Sequence, residues 1–142
     1  MSEFKKLEDL IVWQKARDIR KIVYDVTNAF PPDEKRRLSD QMIRSSRSIS
    51  DNIAEGFGRY HHQENIQFCR IARGSAFELI NQIKTSAECK YINKAQENKL
   101  ISQVEESIKI LNGYIRYLFK AKKDHKTKEP KTEYDIKDYK KS

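Results

Sequence analysis

The chain has 142 residues, 35% of them charged and 37% hydrophobic, a length that suits one domain with a single hydrophobic core. The chain contains only four glycines and three prolines, which is too few for a β-protein that turns about every ten residues. We therefore expect an all-α fold. Twenty-nine Lys and Arg against 21 Asp and Glu give a net charge of +8, which indicates either a polyanionic partner or a basic, solvated surface.

Neither end of the sequence nor its middle carries a membrane or export signal. The first nine residues lack the apolar run of a signal peptide, and nowhere do about 18 uncharged apolar residues follow one another. Cys69 and Cys89 lie in one predicted helix, and about 30 Å of helix between them excludes a disulfide. We therefore expect a reduced, cytoplasmic protein.

The first two helices are predicted from apolar residues that recur every three or four positions. This spacing covers residues 7–30, where two prolines end the first helix because they force the chain out of the α region and donate no backbone N–H. Asp33 and Glu34 place negative charge where a second helix is expected to begin. Its apolar stripe continues to about Gly56.

The third helix is expected after Gly58, which suits a turn, and is predicted to end near Ile92. His61 and Glu64 occupy the two ends of a capping box, although His is a poor substitute for Ser or Thr. Gly74 lies inside this helix. Because glycine costs about 1 kcal/mol there relative to alanine, it predicts the close approach of another backbone.

A fourth helix is predicted from Asn93, whose side chain forms a capping box with Gln96, to Lys122. Four helices joined by three short loops must alternate in direction. Residues 1–122 are therefore predicted to form an antiparallel, up-down-up-down four-helix bundle. Residues 123–142 contain seven Lys and five Asp or Glu but lack apolar spacing, so we predict a charged, disordered tail.

No group of residues has the spacing of a catalytic or metal site. His61 and His62 are adjacent in a loop and His125 lies in the tail, so no pair shares a helix face at the spacing of metal ligands. The two cysteines fall within apolar stripes, and the sequence has neither a glycine-rich phosphate loop nor a Glu-x-x-His motif. We predict a non-enzymatic protein without metal or cofactor.

The charged residues of the middle helices allow two interpretations. Arginine-rich segments suit phosphate, because a guanidinium donates two parallel hydrogen bonds, although charges on a solvated face would look the same. The predicted nucleic-acid-binding residues are Lys35, Arg36, Arg37, Arg44, Arg47 and Arg59. For a second set we favour a structural polar network, within one chain or between subunits, that fixes helix register. Its members are Asn52, Glu55, Arg73 and Glu78.

Several segments resemble one known family. Residues 10–16 (LIVWQKA), 52–59 (NIAEGFGR) and 71–75 (IARGS) are similar to bacterial four-helix bundle proteins encoded in 23S ribosomal RNA intervening sequences, within a likeness that covers about residues 4–122. The resemblance implies a bundle that assembles as a ring, often a pentamer, with an RNA-linked role. It also implies a relation to the accessory protein of diversity-generating retroelements. The chain departs from the family pattern at Arg47, Ser50 and His61.

Two functions follow from these features. The first is a ring-forming bundle, expected to be a homopentamer, that binds structured RNA or ribonucleoprotein through phosphate contacts. The alternative is a protein-interaction scaffold, such as an accessory subunit of a reverse transcriptase, whose basic surface docks on an acidic protein. Trp13 adds apolar area beyond one helix stripe, and it either covers the bundle end or contacts another subunit.

Overall fold

Every regular element is helical in the computed structural model, which describes residues 6–59 and 61–124. Successive helices pack against each other, and the fourth also packs against the first, which closes a four-helix bundle. The predicted all-α bundle is confirmed. The elements are a 3-10 helix at Leu7–Asp9, α1 at Ile11–Asn28, a 3-10 helix at Pro32–Glu34, α2 at Leu38–Phe57, α3 at His62–Glu88 and α4 at Lys94–Asp124.

Helices α2 and α3 run in opposite directions, as their side-chain contacts show. Met42 accepts a hydrogen bond from Ser86, and further along the same pair of helices Ser48 bonds to Ser75. As the residue number rises in α2 it falls in α3, which is the antiparallel order that a short loop imposes. At the other end of the chain, α4 continues two residues past the expected limit of the bundle, and the rest of the predicted tail, 125–142, lies outside the described residues.

The start of α2 differs from the prediction. Asp33 and Glu34 lie in the 3-10 helix, and α2 begins four residues after Glu34, at Leu38. Glu34 nevertheless supports the helix start, because its carboxylate accepts the backbone N–H of Leu38 at 3.3 Å. Acidic charge near a helix N-terminus therefore acts here from the preceding turn.

The two ends of α3 also depart from expectation. His61 has the extended backbone of an N-cap, but its side chain makes no capping hydrogen bond, so the predicted capping box is absent. The helix ends at Glu88 instead of near Ile92. Lys90 adopts a left-handed conformation with φ 65°, which turns the chain and lets Tyr91 donate to the carbonyl of Ser86 at 2.9 Å, the pattern of a Schellman motif.

The start of α4 follows the prediction. The side-chain oxygen of Asn93 accepts the backbone N–H of Gln96 at 2.8 Å, and the side chain of Gln96 accepts the N–H of Asn93 at the same distance. These two reciprocal bonds satisfy backbone donors that a helix N-terminus leaves without partners.

Close packing of helices occurs at Gly56 and not at Gly74. A Cβ on Gly56 would lie 2.5 Å from the side-chain oxygen of Asn65 and 3.1 Å from its backbone carbonyl, so α2 and α3 can approach here only because residue 56 is glycine. Around Gly74, a Cβ would meet nothing within 4 Å among the described residues. The prediction that another backbone approaches Gly74 is therefore wrong for the helices of one chain.

Aromatic residues cover both ends of the bundle. Trp13 is half-buried, packs against the core and lies under the guanidinium of Arg17 at 5.4 Å, which agrees with its interpretation as a cover for the bundle end. At the opposite end, the ring of Tyr91 contacts Phe30, and its hydroxyl donates to Glu34 at 2.7 Å. This bond joins the α3–α4 loop to the turn before α2.

Candidate nucleic-acid interface

The six predicted nucleic-acid-binding residues form a line along α2 and not a compact cluster. We call them the α2 ribbon. Lys35, Arg36 and Arg37 lie in the turn before the helix, Arg44 and Arg47 lie on its exposed face, and the sixth residue, Arg59, follows its C-terminus. Because a helix of 20 residues is about 30 Å long, the two ends of the ribbon can contact phosphates only on an extended partner.

Half of the α2 ribbon is paired with carboxylates of the same chain. Arg44 lies 3.2 Å from Asp40, and Arg59 lies 2.9 Å from Glu55. Arg37 similarly lies 3.9 Å from the carboxylate of Glu34. The pairs of Arg44 and Arg59 are exposed on both sides, and such pairs contribute only about 0.2–1 kcal/mol, so these two arginines can exchange partners although their pairs lower the local positive charge.

The other three cations of the ribbon are Lys35, Arg36 and Arg47, which are all exposed. Within the described part of the chain, no ion pair includes any of them. These three residues therefore supply the net positive charge of the ribbon, and two of them stand together at the α1–α2 turn.

The predicted polar network separates into different contacts. Asn52 donates to the hydroxyl of Ser48 at 3.0 Å, and Ser48 bonds to Ser75 at 2.7 Å, so Asn52 is linked to α3 through a pair of serines. Arg73 donates to the side chain of Asn112 on α4 at 2.8 Å. Both contacts join neighbouring helices, as a register-fixing role requires.

The two acids of the predicted network do not join these contacts. Glu55 pairs with Arg59 on the surface. Glu78 is exposed and lines a groove between α2 and α3 together with Arg44, Ser45 and Gln82. Within one chain the four residues thus do not form a single network, and a role between subunits stays a prediction.

A second basic surface lies between α3 and α4, where the sequence alone did not indicate a site. Segments 65–77 and 107–123 contain seven Lys or Arg and no Asp or Glu. Arg73 contacts Asn112, and the guanidinium of Arg70 lies over the ring of Phe119 at 5.6 Å, so the two segments run side by side. We define the α3–α4 basic face as Arg70, Arg73, Lys109, Arg116, Lys120 and Lys123.

Reactive thiols and metal ligands are the remaining groups that could carry chemistry in the described part of the chain. Burial raises the pKa of the Cys69 thiol to about 12, so the reactive thiolate is disfavoured at neutral pH. Within residues 6–59 and 61–124, no three His, Cys, Asp or Glu side chains group closely enough to hold a metal ion. None of the helices in the same ranges has both the length and the apolar character to cross a bilayer.

Fold and surface together define a class: a basic four-helix bundle with cations along α2 and between α3 and α4. Within this class, the chain belongs to the 23S rRNA-intervening sequence protein family, whose model matches residues 8–113. The predicted family resemblance is confirmed. Its further implication, a relation to the retroelement accessory protein, stays a prediction.

A solved structure shows the same fold. It is the crystal structure of a protein with unknown function, from the S23 ribosomal protein family of Bacteroides thetaiotaomicron. The two chains are 22% identical and superpose with a TM-score of 0.70, over 75% of this chain and 96% of the other. A search of curated protein sequences finds no match.

Proposed function

We propose that the chain is a non-enzymatic, ring-forming basic bundle that binds structured RNA or ribonucleoprotein through phosphate contacts. The observation that carries the proposal is the α2 ribbon, which presents basic side chains from the turn before α2, along its exposed face and past its C-terminus. Guanidinium groups match phosphate geometry, and the family description, which names a 23S rRNA intervening sequence, agrees with an RNA partner.

Binding through the α2 ribbon depends on charge and shape more than on base sequence. Side chains on a helix face cannot enter the deep, narrow major groove of A-form RNA. Phosphate contacts displace condensed counterions, so affinity should fall steeply as salt concentration rises. The exposed cations Lys35, Arg36 and Arg47 are the strongest candidates for these contacts.

Assembly into a ring has support on the outer face of α3. Ile71 and Phe77 are 52% and 56% exposed, and Gly74 lies between them with open space around it. A glycine in a helix has a cost, and here no neighbour within the described chain explains it. A second copy that packs on this face of α3 would bury the side chains of Ile71 and Phe77 and could approach closely at Gly74. We propose that the ring is a pentamer, the number of subunits that the family resemblance implies.

The test measures RNA affinity against salt concentration for the wild type and for the α2 triple variant, which carries Lys35→Gln, Arg36→Gln and Arg47→Gln at the three exposed positions without an ion pair. We expect weaker binding to every structured RNA, and a slope of log affinity against log salt that is lower by roughly 0.7–0.9 for each phosphate that the variant no longer neutralises. The matched control removes three exposed lysines elsewhere, by Lys21→Gln, Lys84→Gln and Lys99→Gln.

Each outcome of this experiment separates the proposal from its alternative. Equal affinity and slope for the α2 triple variant and the wild type would exclude the ribbon as the RNA site. Loss of the oligomer in the same variant would assign these side chains a structural role. If the wild type bound no RNA, the alternative of a scaffold or accessory subunit for a nucleic-acid enzyme would be favoured.

A further inference from the structure

We infer that Tyr24 on α1 is a stacking site for an unpaired base of an RNA whose backbone follows the α2 ribbon. The inference rests on the proposed RNA-binding function and deepens it, because it names the kind of RNA that fits this surface. Folded RNA with a bulge or an internal loop would place its phosphates on the ribbon and one splayed base on the Tyr24 ring.

The first argument is the exposure of the Tyr24 ring. The side chain is 59% exposed. Among the residues that the structure describes, none hydrogen-bonds to its hydroxyl, and neither a second ring nor a cation covers its ring. The ring is therefore open to a planar partner that approaches from solvent.

The second argument is the position of the ring beside α2. Arg20 lies one helical turn before Tyr24 on the same side of α1. The guanidinium of Arg20 donates to the hydroxyl of Ser50 on α2 at 3.1 Å. The side of α1 that carries Arg20 and Tyr24 therefore borders α2, the helix of the ribbon.

Arg47 of the α2 ribbon lies across this border from Tyr24. Only residues 29–37 join α1 to α2, so the two helices run in opposite directions from the contact between Arg20 and Ser50. Tyr24 lies about 6 Å beyond Arg20 along α1. In the same direction, Arg47 lies about 4.5 Å beyond Ser50 along α2, and its backbone carbonyl accepts the Ser50 hydroxyl. The ring and Arg47 are thus at about the same level of the bundle.

The third argument is the charge around the ring. Arg47 is exposed and has no ion pair among the described residues, and Arg20 has only the neutral hydroxyl of Ser50 as a partner there. The acids nearest to them in the chain, Asp25 and Asp51, are not paired with either arginine. Each guanidinium has five N–H donors, so both can still bind phosphate. We define the Tyr24 site as the ring with these two arginines.

The Tyr24 site favours RNA that combines a folded backbone with an unpaired nucleotide. In a duplex the bases are stacked on each other, and a protein ring reaches only splayed bases in loops, bulges and ends. Every base has a face on which a ring can stack, so the site selects an unpaired base without selecting its identity. Because Arg47 belongs to both the site and the α2 ribbon, one RNA molecule can contact both.

The experiment measures binding of the full chain to two RNA duplexes by fluorescence anisotropy. Both contain a bulged nucleotide at the same position, but in the second duplex this nucleotide is abasic, so that only the base is removed. We expect the wild type to bind the first duplex about fivefold or more tightly than the second, because a stacked base adds to the phosphate contacts.

Variants at Tyr24 show whether its ring is the stacking partner. Tyr24→Leu keeps an apolar side chain but removes the ring, and it should bind both duplexes with the affinity that the wild type has for the abasic one. Tyr24→Phe is the matched control. It keeps the ring and should retain the preference of the wild type for the bulged base.

A charge variant tests the phosphate contact beside the ring. Arg20→Gln keeps an N–H donor for Ser50 but removes the positive charge. Its slope of log affinity against log salt should be lower by roughly 0.7–0.9 than that of the wild type. Lys84→Gln, at an exposed position of α3, removes the same charge elsewhere and should leave the slope unchanged. An unchanged slope for Arg20→Gln would remove Arg20 from the site.

The results separate this inference from the proposed function. Equal affinity of the wild type for the two duplexes would overturn the stacking site and leave the proposed phosphate binding intact. Retention of the preference in Tyr24→Leu would exclude Tyr24 as the stacking partner. A changed oligomer mass of Tyr24→Leu in light scattering would place the ring in a subunit contact and overturn the inference. Absence of binding to both duplexes by the wild type would overturn the proposed function as well.

Discussion

At the scale of single residues, the hydrogen bond from Tyr91 to Glu34 links two loops and depends on pH. The Tyr91 hydroxyl, followed by the Leu38 backbone N–H, lowers the pKa of the Glu34 carboxyl below 4.5. The same bond, together with desolvation, raises the pKa of Tyr91 to about 12. A lowered carboxyl pKa adds stability above about pH 4.5 that is lost as the pH falls. A raised phenol pKa adds stability below about pH 10 that is lost as the pH rises towards 12.

We therefore expect Tyr91→Phe, which keeps the ring against Phe30, to lower the Tm by about 2–4 °C at pH 7. The difference from the wild type should shrink as the pH falls well below 4.5 and Glu34 takes up a proton, and as the pH rises to about 12 and Tyr91 ionises. Thermal melts followed by circular dichroism across this pH range measure the change. Tyr24→Phe, on the surface of α1, serves as a control and should match the wild type throughout.

Residue types predict a local bond well when both partners are close in the chain. Asn93 and Gln96 are three residues apart, and their capping box could be predicted because the helix start fixes their geometry. Tyr91 and Glu34 are 57 residues apart, so their bond could not be predicted. The left-handed Lys90 could not be predicted either, because its conformation is imposed by the turn and glycine is the residue that usually occupies such a position.

At the scale of the helices, contact between α2 and α3 requires a glycine at position 56. We expect Gly56→Ala to lower the free energy of unfolding by about 1–3 kcal/mol, because the nearest atoms include the backbone carbonyl of Asn65, which cannot rotate away. Urea denaturation measures the change. Gly113→Ala is the control: its Cβ would make only an ordinary contact at 3.7 Å with Arg116, and alanine in a helix should add about 0.5–1 kcal/mol. A neutral Gly56→Ala would show that the two helices can separate at no cost.

Periodicity predicted which segments are helical but not which glycine a neighbouring helix approaches. Gly56 and Gly74 both lie within or at the end of an apolar stripe, and the sequence offers no way to distinguish them. The difference arises from the register of α2 against α3, which places residue 56 opposite Asn65. The link from Arg73 to Asn112 likewise depends on the register of two helices across 39 residues of chain.

At the scale of the whole molecule, the distribution of charge was only partly predictable. The α2 ribbon could be identified because its arginines follow one another along a single segment. The acids that pair with Arg44 and Arg59 lie four residues away, and their effect could have been anticipated from helical spacing. The α3–α4 basic face could not, because its members come from two segments that only the fold brings side by side.

The last prediction concerns assembly, which would place the basic surfaces of several copies around one ring. The double variant Ile71→Gln with Phe77→Gln removes the exposed apolar side chains on both sides of Gly74, and we expect it to be a monomer with unchanged helicity, because neither side chain belongs to the core of its own chain. Light scattering at micromolar concentration gives the mass. The control, Ile11→Gln with Tyr24→Gln, removes two equally exposed apolar residues of α1 and should keep the oligomer. If the α1 variant dissociates while the α3 variant stays oligomeric, the subunit contact lies on α1. A monomeric wild type would exclude the ring.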